Sequence, residues 1–284
     1  MAGQALRNVV EELISTNSAS EDYYCTICGR LVPKLHLTIL KKDRVIQPKC
    51  KCESDQHDNF FKEIAEKKRK SDIEAKFSIS ELGDRFNNCR LNNFILRPGA
   101  AGCYELAKAY ADKFSKQTEK GLVIWGRPGN GKSHLAVAIA HEVIKRNHTV
   151  VFRTMPELLE KIRNSFNRDS KDTEQQIMSA LIDCNLLILD DFGAEKINDW
   201  VADVIFRIVD RRYRLKRPII VTTNYSPQEL VNNFDKNMLD IKGLRVIDRI
   251  LETNSIIENK ATSYRQEIAK KNKMAQSKEN LFPE

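Results

Sequence analysis

No stretch of this 284-residue chain approaches the 18 or more consecutive apolar residues of a bilayer-spanning helix. The opening Met1-Ala-Gly-Gln-Ala-Leu-Arg7 lacks the charged-then-apolar layout of a secretory leader, so no membrane attachment and a cytoplasmic address are expected. A closed disulfide framework is also disfavoured, because the seven cysteines are odd in number. No internal repeat is visible. What is present describes a globular chain, 41% hydrophobic and 30% charged. Its length suits one full-sized core plus a smaller module. The net charge of +8 favours an anionic partner, nucleic acid above all, although many proteins are mildly basic without one.

Three zones follow from the pattern. Residues 1–80 hold four clustered cysteines and then a Lys- and Glu-rich segment, Phe61–Phe77. Residues 81–265 alternate short apolar runs with amphipathic stretches, as a parallel sheet covered by helices does. Residues 266–284 are polar and lysine-rich and read as a flexible basic tail. In the middle zone Leu122–Trp125, Thr149–Arg153, Leu186–Leu189, Pro218–Thr222 and Ser255–Glu258 read as strands. Ser133–Lys145, Glu157–Ser165, Asp172–Asp183, Asp199–Leu215, Gln228–Phe234 and Asp240–Leu251 read as helices.

Gly126-Arg127-Pro128-Gly129-Asn130-Gly131-Lys132-Ser133 matches G-x-x-x-x-G-K-[ST] between an apolar strand and a helix, with His134 next in line. Glycines let the backbone wrap phosphate closely, and the helix start adds its positive dipole end. Lys132 is suited to the β- and γ-phosphates of ATP, and the Ser133 hydroxyl to Mg2+. Leu186-Leu-Ile-Leu-Asp190-Asp191 supplies the second part: four apolar residues place Asp190 at the carboxyl end of a core strand, as the Mg2+-side acid. Asp191 follows as the group that orients or deprotonates the attacking water, with Glu195 as an alternative. Ile219-Ile-Val-Thr-Thr-Asn224 ends a third apolar strand in polar residues; Asn224 either senses the γ-phosphate or turns the chain before Ser226-Pro227.

Cys25-x₂-Cys28 and Cys50-x-Cys52 bring together four soft ligands suited to tetrahedral Zn2+. C-x-C is rarer than C-x₂-C, so His36 or His57 stays open as a replacement ligand. A redox pair and four ordinary buried thiols are the competing readings. Cys89, Cys103 and Cys184 stand alone and read as small buried hydrophobes.

The order of these motifs, with Phe86–Phe94, Leu186–Glu195, Val221–Asn224, Arg245–Arg249 and Ser263-Tyr-Arg265, resembles the DnaC/DnaI/IstB-like group of AAA+ ATPases. The resemblance implies an AAA+ P-loop domain with a five-stranded parallel sheet between helices, preceded by a small zinc-binding N-terminal domain. It implies that Arg249 (or Arg245, one turn earlier) is an arginine finger completing a neighbouring subunit's site in an ATP-dependent oligomer. It also implies that Arg265 is a further phosphate sensor. Many AAA+ proteins have Asp-Glu where this chain has Asp190-Asp191, which fits a slow switch better than a fast motor. The segment with Lys161, Arg163, Arg168 and Lys171 resembles the group's extra helix, a candidate path for single-stranded DNA. Lys67–Lys70 is either a second basic contact or a solvated helix face.

Three functions are therefore open. The first is a loader that delivers a replicative DNA helicase, docked through the N-terminal domain. The second is a transposition helper of the IstB kind. The third is a zinc-stabilised DNA-binding adaptor with little ATP turnover.

Overall fold

The computed structural model describes residues 23–39, 42–77, 84–167, 170, 172–194, 198–237 and 241–279. The chain divides into two compact units, Met1–Lys67 and Lys68–Glu284. The composition-based division at residue 80 falls later, because Ile73 and Phe77 are buried in the core of the second unit.

The first unit carries two antiparallel hairpins, β1 (Tyr23–Tyr24) with β2 (Leu31–Val32) and β3 (Leu35–Ile39) with β4 (Lys42–Ile46). The helix α1 (Lys51–Lys76) follows. Among the described residues of this unit, Cys25 is the one buried side chain. Tyr24, Ile27, Leu35, Val45, Phe60 and Phe61 are all exposed. The interior formed by these described residues is too thin to stabilise a fold by apolar burial alone.

The second unit is a parallel five-stranded sheet in the order β6-β7-β8-β5-β9. Its strands are β5 (Gly121–Trp125), β6 (Val150–Thr154), β7 (Leu186–Asp190), β8 (Ile219–Thr223) and β9 (Asn254–Glu258). The continuous apolar runs of β5, β7 and β8 are buried because both faces are covered. One face carries the cluster that includes Val123, Leu187 and Val221; the other carries Leu122, Ile188 and Ile220. That division is the period-two alternation of a strand.

The helices are α2 (Asp84–Asn87), α3 (Ala101–Lys113), α4 (Lys132–Lys145), α5 (Met155–Asn164), α6 (Glu174–Asp183), α7 (Asp199–Arg214), α8 (Pro227–Asn237), α9 (Ile241–Thr253) and α10 (Tyr264–Glu279). None of the described helices is long and apolar enough to cross a membrane. Capping boxes, Thr154 with Glu157 and Thr173 with Gln176, fix the starts of α5 and α6. Sequence periodicity assigned no element to α3, whose buried residues Cys103, Ala107 and Ala111 are too small to mark an apolar stripe. The segment read as a basic tail carries α10, which extends through Glu279.

Arg212 holds the sheet at the end away from the Gly126–Gly131 loop. It is fully buried, and its guanidinium donates to the carbonyls of Leu181 (2.8 Å), Ile182 (3.0 Å), Cys184 (3.0 Å) and Pro218 (2.7 Å). These carbonyls end α6 and lead into β7 and β8. Arg212→Met is expected to cost about 3–5 kcal/mol, because several buried carbonyls lose their donor at once. Arg212→Lys should recover only part, an ammonium having too few donors in too compact a shape. Urea unfolding of the two variants measures both effects.

Candidate functional site

The three sequence motifs meet at the carboxyl ends of β5, β7 and β8. The loop after β5 runs Gly126–Gly131, and α4 begins at Lys132 with Gly131 as its N-cap. Gly126 (φ 138°) and Gly131 (φ 100°) adopt conformations that side chains resist. A Cβ on Gly126 would lie 2.5 Å from the Asn259 carbonyl, and one on Gly131 would lie 2.8 Å from the Phe94 ring.

Lys132 is buried. Its ammonium donates to the carbonyls of Gly126 (2.8 Å) and Arg127 (3.0 Å), and to the side-chain oxygens of Asn130 (3.3 Å) and Asn224 (2.9 Å). Burial lowers its pKa to about 8, against the opposing pull of Asp191 and Asp190. Asn224, read from the sequence as sensor or turn, is thus joined to the phosphate-loop lysine.

Asp190 ends β7 with almost no exposure. Burial raises its pKa to about 6; hydrogen bonds from Thr222 and Ser133 act in the other direction, and Asp191 adds to the rise. Asp191 sits at φ 53°, a left-handed conformation that Asp tolerates better than most residues. A Ser hydroxyl beside a buried carboxylate at a helix start is the donor set that Mg2+ uses with a phosphate loop, so the residues fit that ion.

A cavity of about 410 Å³ joins these groups to an apolar end formed by Phe86, Cys89, Phe94 and Ile95. Pro128, Gly129, Ser133 and His134 line it, as does Arg265. The His134 ring is 2.9 Å from the Arg90 carbonyl and packs edge-on against Phe94.

Sequence reasoning gave Phe94 no role beyond its place in the resembling stretch Phe86–Phe94, and it missed Arg97. Buried Arg97 donates to the Asn130 carbonyl at 2.8 Å and to the Thr262 carbonyl, and it covers the Tyr264 ring. Asn130 and Asn259 exchange side-chain amide bonds to each other's carbonyls, and the Tyr264 N–H donates to the Gly129 carbonyl at 2.9 Å. The segment before α10 is therefore tied to the phosphate loop. No local motif marks these residues.

Arg249 does not line this cavity. It pairs with Asp210 and lies over the rings of Phe206 (5.4 Å) and Tyr213 (5.1 Å); exposed Arg245 also lies over Phe206 (5.6 Å). Lys161 is engaged with Asp172 at 3.6 Å, and Arg163 covers Trp200 at 5.1 Å. Arg168, Lys171 and Glu195 lie outside the described residues.

In the first unit, Cys25 and Cys28 lie in the β1–β2 loop, Cys50 precedes α1 and Cys52 is in its first turn. All four sulfurs lie within 4.8 Å of one another. Cys28 and Cys50 are 3.7 Å apart, and Cys50 and Cys52 are 3.5 Å apart. Tetrahedral Zn–S bonds of about 2.3 Å place sulfurs about 3.8 Å apart, so this cage fits zinc. Hydrogen bonding, first from the Arg30 backbone and then among the thiols, lowers Cys28 to about 6, while its bond to Cys28 pushes Cys52 up to about 12. Neither His36 nor His57 belongs to the group, and the His57 ring packs on Phe61 at 4.5 Å. Cys89, Cys103 and Cys184 are buried in the second unit, as expected.

A family model described as IstB-like ATP binding protein matches residues 106–273. The replicative helicase loader DnaC of Escherichia coli (strain K12) is 29% identical over 185 residues, 65% of this chain and 71% of the relative. The replicative helicase loader DnaC of Buchnera aphidicola subsp. Schizaphis graminum (strain Sg) is 30% identical over 191 residues, 66% and 74%. A crystal structure of the DnaC helicase loader superposes with a TM-score of 0.53 at 25% identity, over 63% of this chain and all of that one. Sheet, loop and paired acids together define an AAA+ P-loop protein. Within that class, the chain belongs to the DnaC/DnaI/IstB-like ATPases.

Proposed function

We propose that this protein is an ATP-dependent loader of a replicative DNA helicase, acting in the cytoplasm and hydrolysing ATP slowly. The observation that carries the ATPase part is the meeting of Lys132, Asn224, Asp190 and Asp191 at one end of the sheet. The loader part is supported by relatives that carry that name and by a cysteine-caged unit ahead of the ATPase unit.

In this reading the loop Gly126–Ser133 holds the triphosphate, and the apolar end at Phe86, Cys89 and Phe94 receives the base. Lys132 gives up its bonds to the Gly126 and Arg127 carbonyls for phosphate oxygens. Asn224 is released from Lys132 at the same moment, freeing its amide to sense the γ-phosphate. Ser133 and Asp190 would hold Mg2+, which when bound neutralises developing charge on the phosphates. Asp191 orients the attacking water, and Arg265 reaches the phosphates from α10.

Arg249 can complete a neighbour's site only by leaving Asp210 and its two rings. Assembly would have to supply that rearrangement, which suits a slow, oligomer-dependent switch. Single-stranded DNA would bind along α5, where Lys161 and Arg163 lie. Zn2+ would be held by Cys25, Cys28, Cys50 and Cys52, with no open position for catalysis.

Affinity capture of the full chain from its host, in ATP, tests this function. A replicative helicase should co-purify, and less should be recovered with Lys132→Ala. Recovery of a transposase without a helicase overturns the loader reading in favour of an IstB-like helper. DNA-bound protein with no phosphate release, with or without the captured partner, favours the adaptor.

A further inference from the structure

We propose that Thr222 is a positioning residue for Asp190 and Asp191, holding both acids through one hydroxyl. The proposal deepens the reading above and rests on it.

Thr222 is fully buried on β8, beside the end of β7. Its hydroxyl donates to Asp190 Oδ1 and accepts the Asp191 backbone N–H at 3.1 Å. One donor and two acceptor lone pairs allow a single hydroxyl to serve both. The first bond fixes the Asp190 carboxylate and occupies one oxygen, leaving Oδ2 unclaimed by Thr222. The second helps hold Asp191 in its left-handed turn. The same turn is held again where the Phe192 N–H donates to the Thr222 carbonyl at 2.8 Å and the Thr223 hydroxyl donates to the Phe192 carbonyl at 2.8 Å.

Two residues beyond Thr222, Asn224 accepts from Lys132. The end of β8 therefore reaches the acids through one residue and the phosphate-loop lysine through the next but one. A purely space-filling role would be met by valine, which keeps the shape of threonine. The hydroxyl is what valine lacks. Without it a buried carboxylate loses a donor and a buried N–H loses its acceptor.

The test measures affinity of the full chain for a fluorescent, non-hydrolysable ATP analogue in EDTA and across a Mg2+ titration. Thr222→Val should keep the metal-free affinity within about two-fold, since the phosphate loop itself is unaltered. It should need about ten-fold more Mg2+ for the half-maximal effect, the equivalent of one charge-assisted hydrogen bond. Thr222→Ser keeps the hydroxyl and should restore the wild-type Mg2+ response.

A wild-type Mg2+ response in Thr222→Val overturns the proposal, as does equal impairment of Thr222→Ser. If circular dichroism shows that Thr222→Val fails to fold, Thr222→Ala replaces it with the same expected outcomes. Wild-type protein that binds the analogue in neither condition overturns the reading of the cavity itself. Loss confined to the Mg2+ response of Thr222→Val leaves that reading intact and supports the role of Thr222.

Discussion

Lys132→Ala is expected to abolish the thermal stabilisation that ATP gives the wild-type chain and to lower phosphate release by roughly 10²–10³-fold, the scale of losing one preorganised charge donor. Without nucleotide the variant should unfold within about 1 kcal/mol of wild type. The lost bonds to Gly126, Arg127, Asn130 and Asn224 are offset by relief from burying an ammonium that carries its charge at a cost. Nucleotide at 100 times its dissociation constant stabilises the wild type by about 2.7 kcal/mol, so the contrast between the two proteins is large. Differential scanning fluorimetry with and without ATP and Mg2+ reads both quantities. An equal upward shift in both proteins would remove Lys132 from the phosphate site.

Full-length protein should contain one zinc per chain, and chelation should unfold the N-terminal unit while leaving the ATPase unit folded. Structural zinc sites in comparable small folds contribute roughly 10–16 kcal/mol of apparent binding free energy. Among its described residues the first unit has little else to hold it. Cys25 is its one buried side chain among the described residues, where Tyr24, Ile27, Leu35, Val45, Phe60 and Phe61 are exposed. The second unit has buried apolar clusters on both faces of its sheet to hold it. Cys25→Ser removes one of four ligands and should lose the metal with the fold of that unit. Elemental analysis with limited proteolysis decides it: cleavage in Cys25→Ser should concentrate before residue 68. Metal-free protein that resists cleavage there would show that the cage is not what stabilises the unit.

The phosphate loop, the acid-ended strand and the cysteine pairs were legible in the sequence because each depends on neighbours a few residues apart. Glycines that free the backbone must be contiguous with the lysine they serve. Buried parallel strands must be continuously apolar, which marked β5, β7 and β8. Where small residues form the buried face, as at Cys103, Ala107 and Ala111 of α3, that signal vanished.

Residue order by itself determined the class of site and the residue types within it. Tertiary structure alone decided the strand order that sets β8 between β7 and β5, and hence that Thr222 bonds Asp190 while Asn224 bonds Lys132. It also decided that Phe94 closes over Gly131, that Arg97 ties Asn130 to Thr262, and that Asp210 holds Arg249. The reason is physical. Local motifs are dictated by backbone geometry over a few residues, whereas most of these long-range partners are carbonyls, hydroxyls or ring faces found throughout any chain, which become specific only when folding brings them within about 3–6 Å.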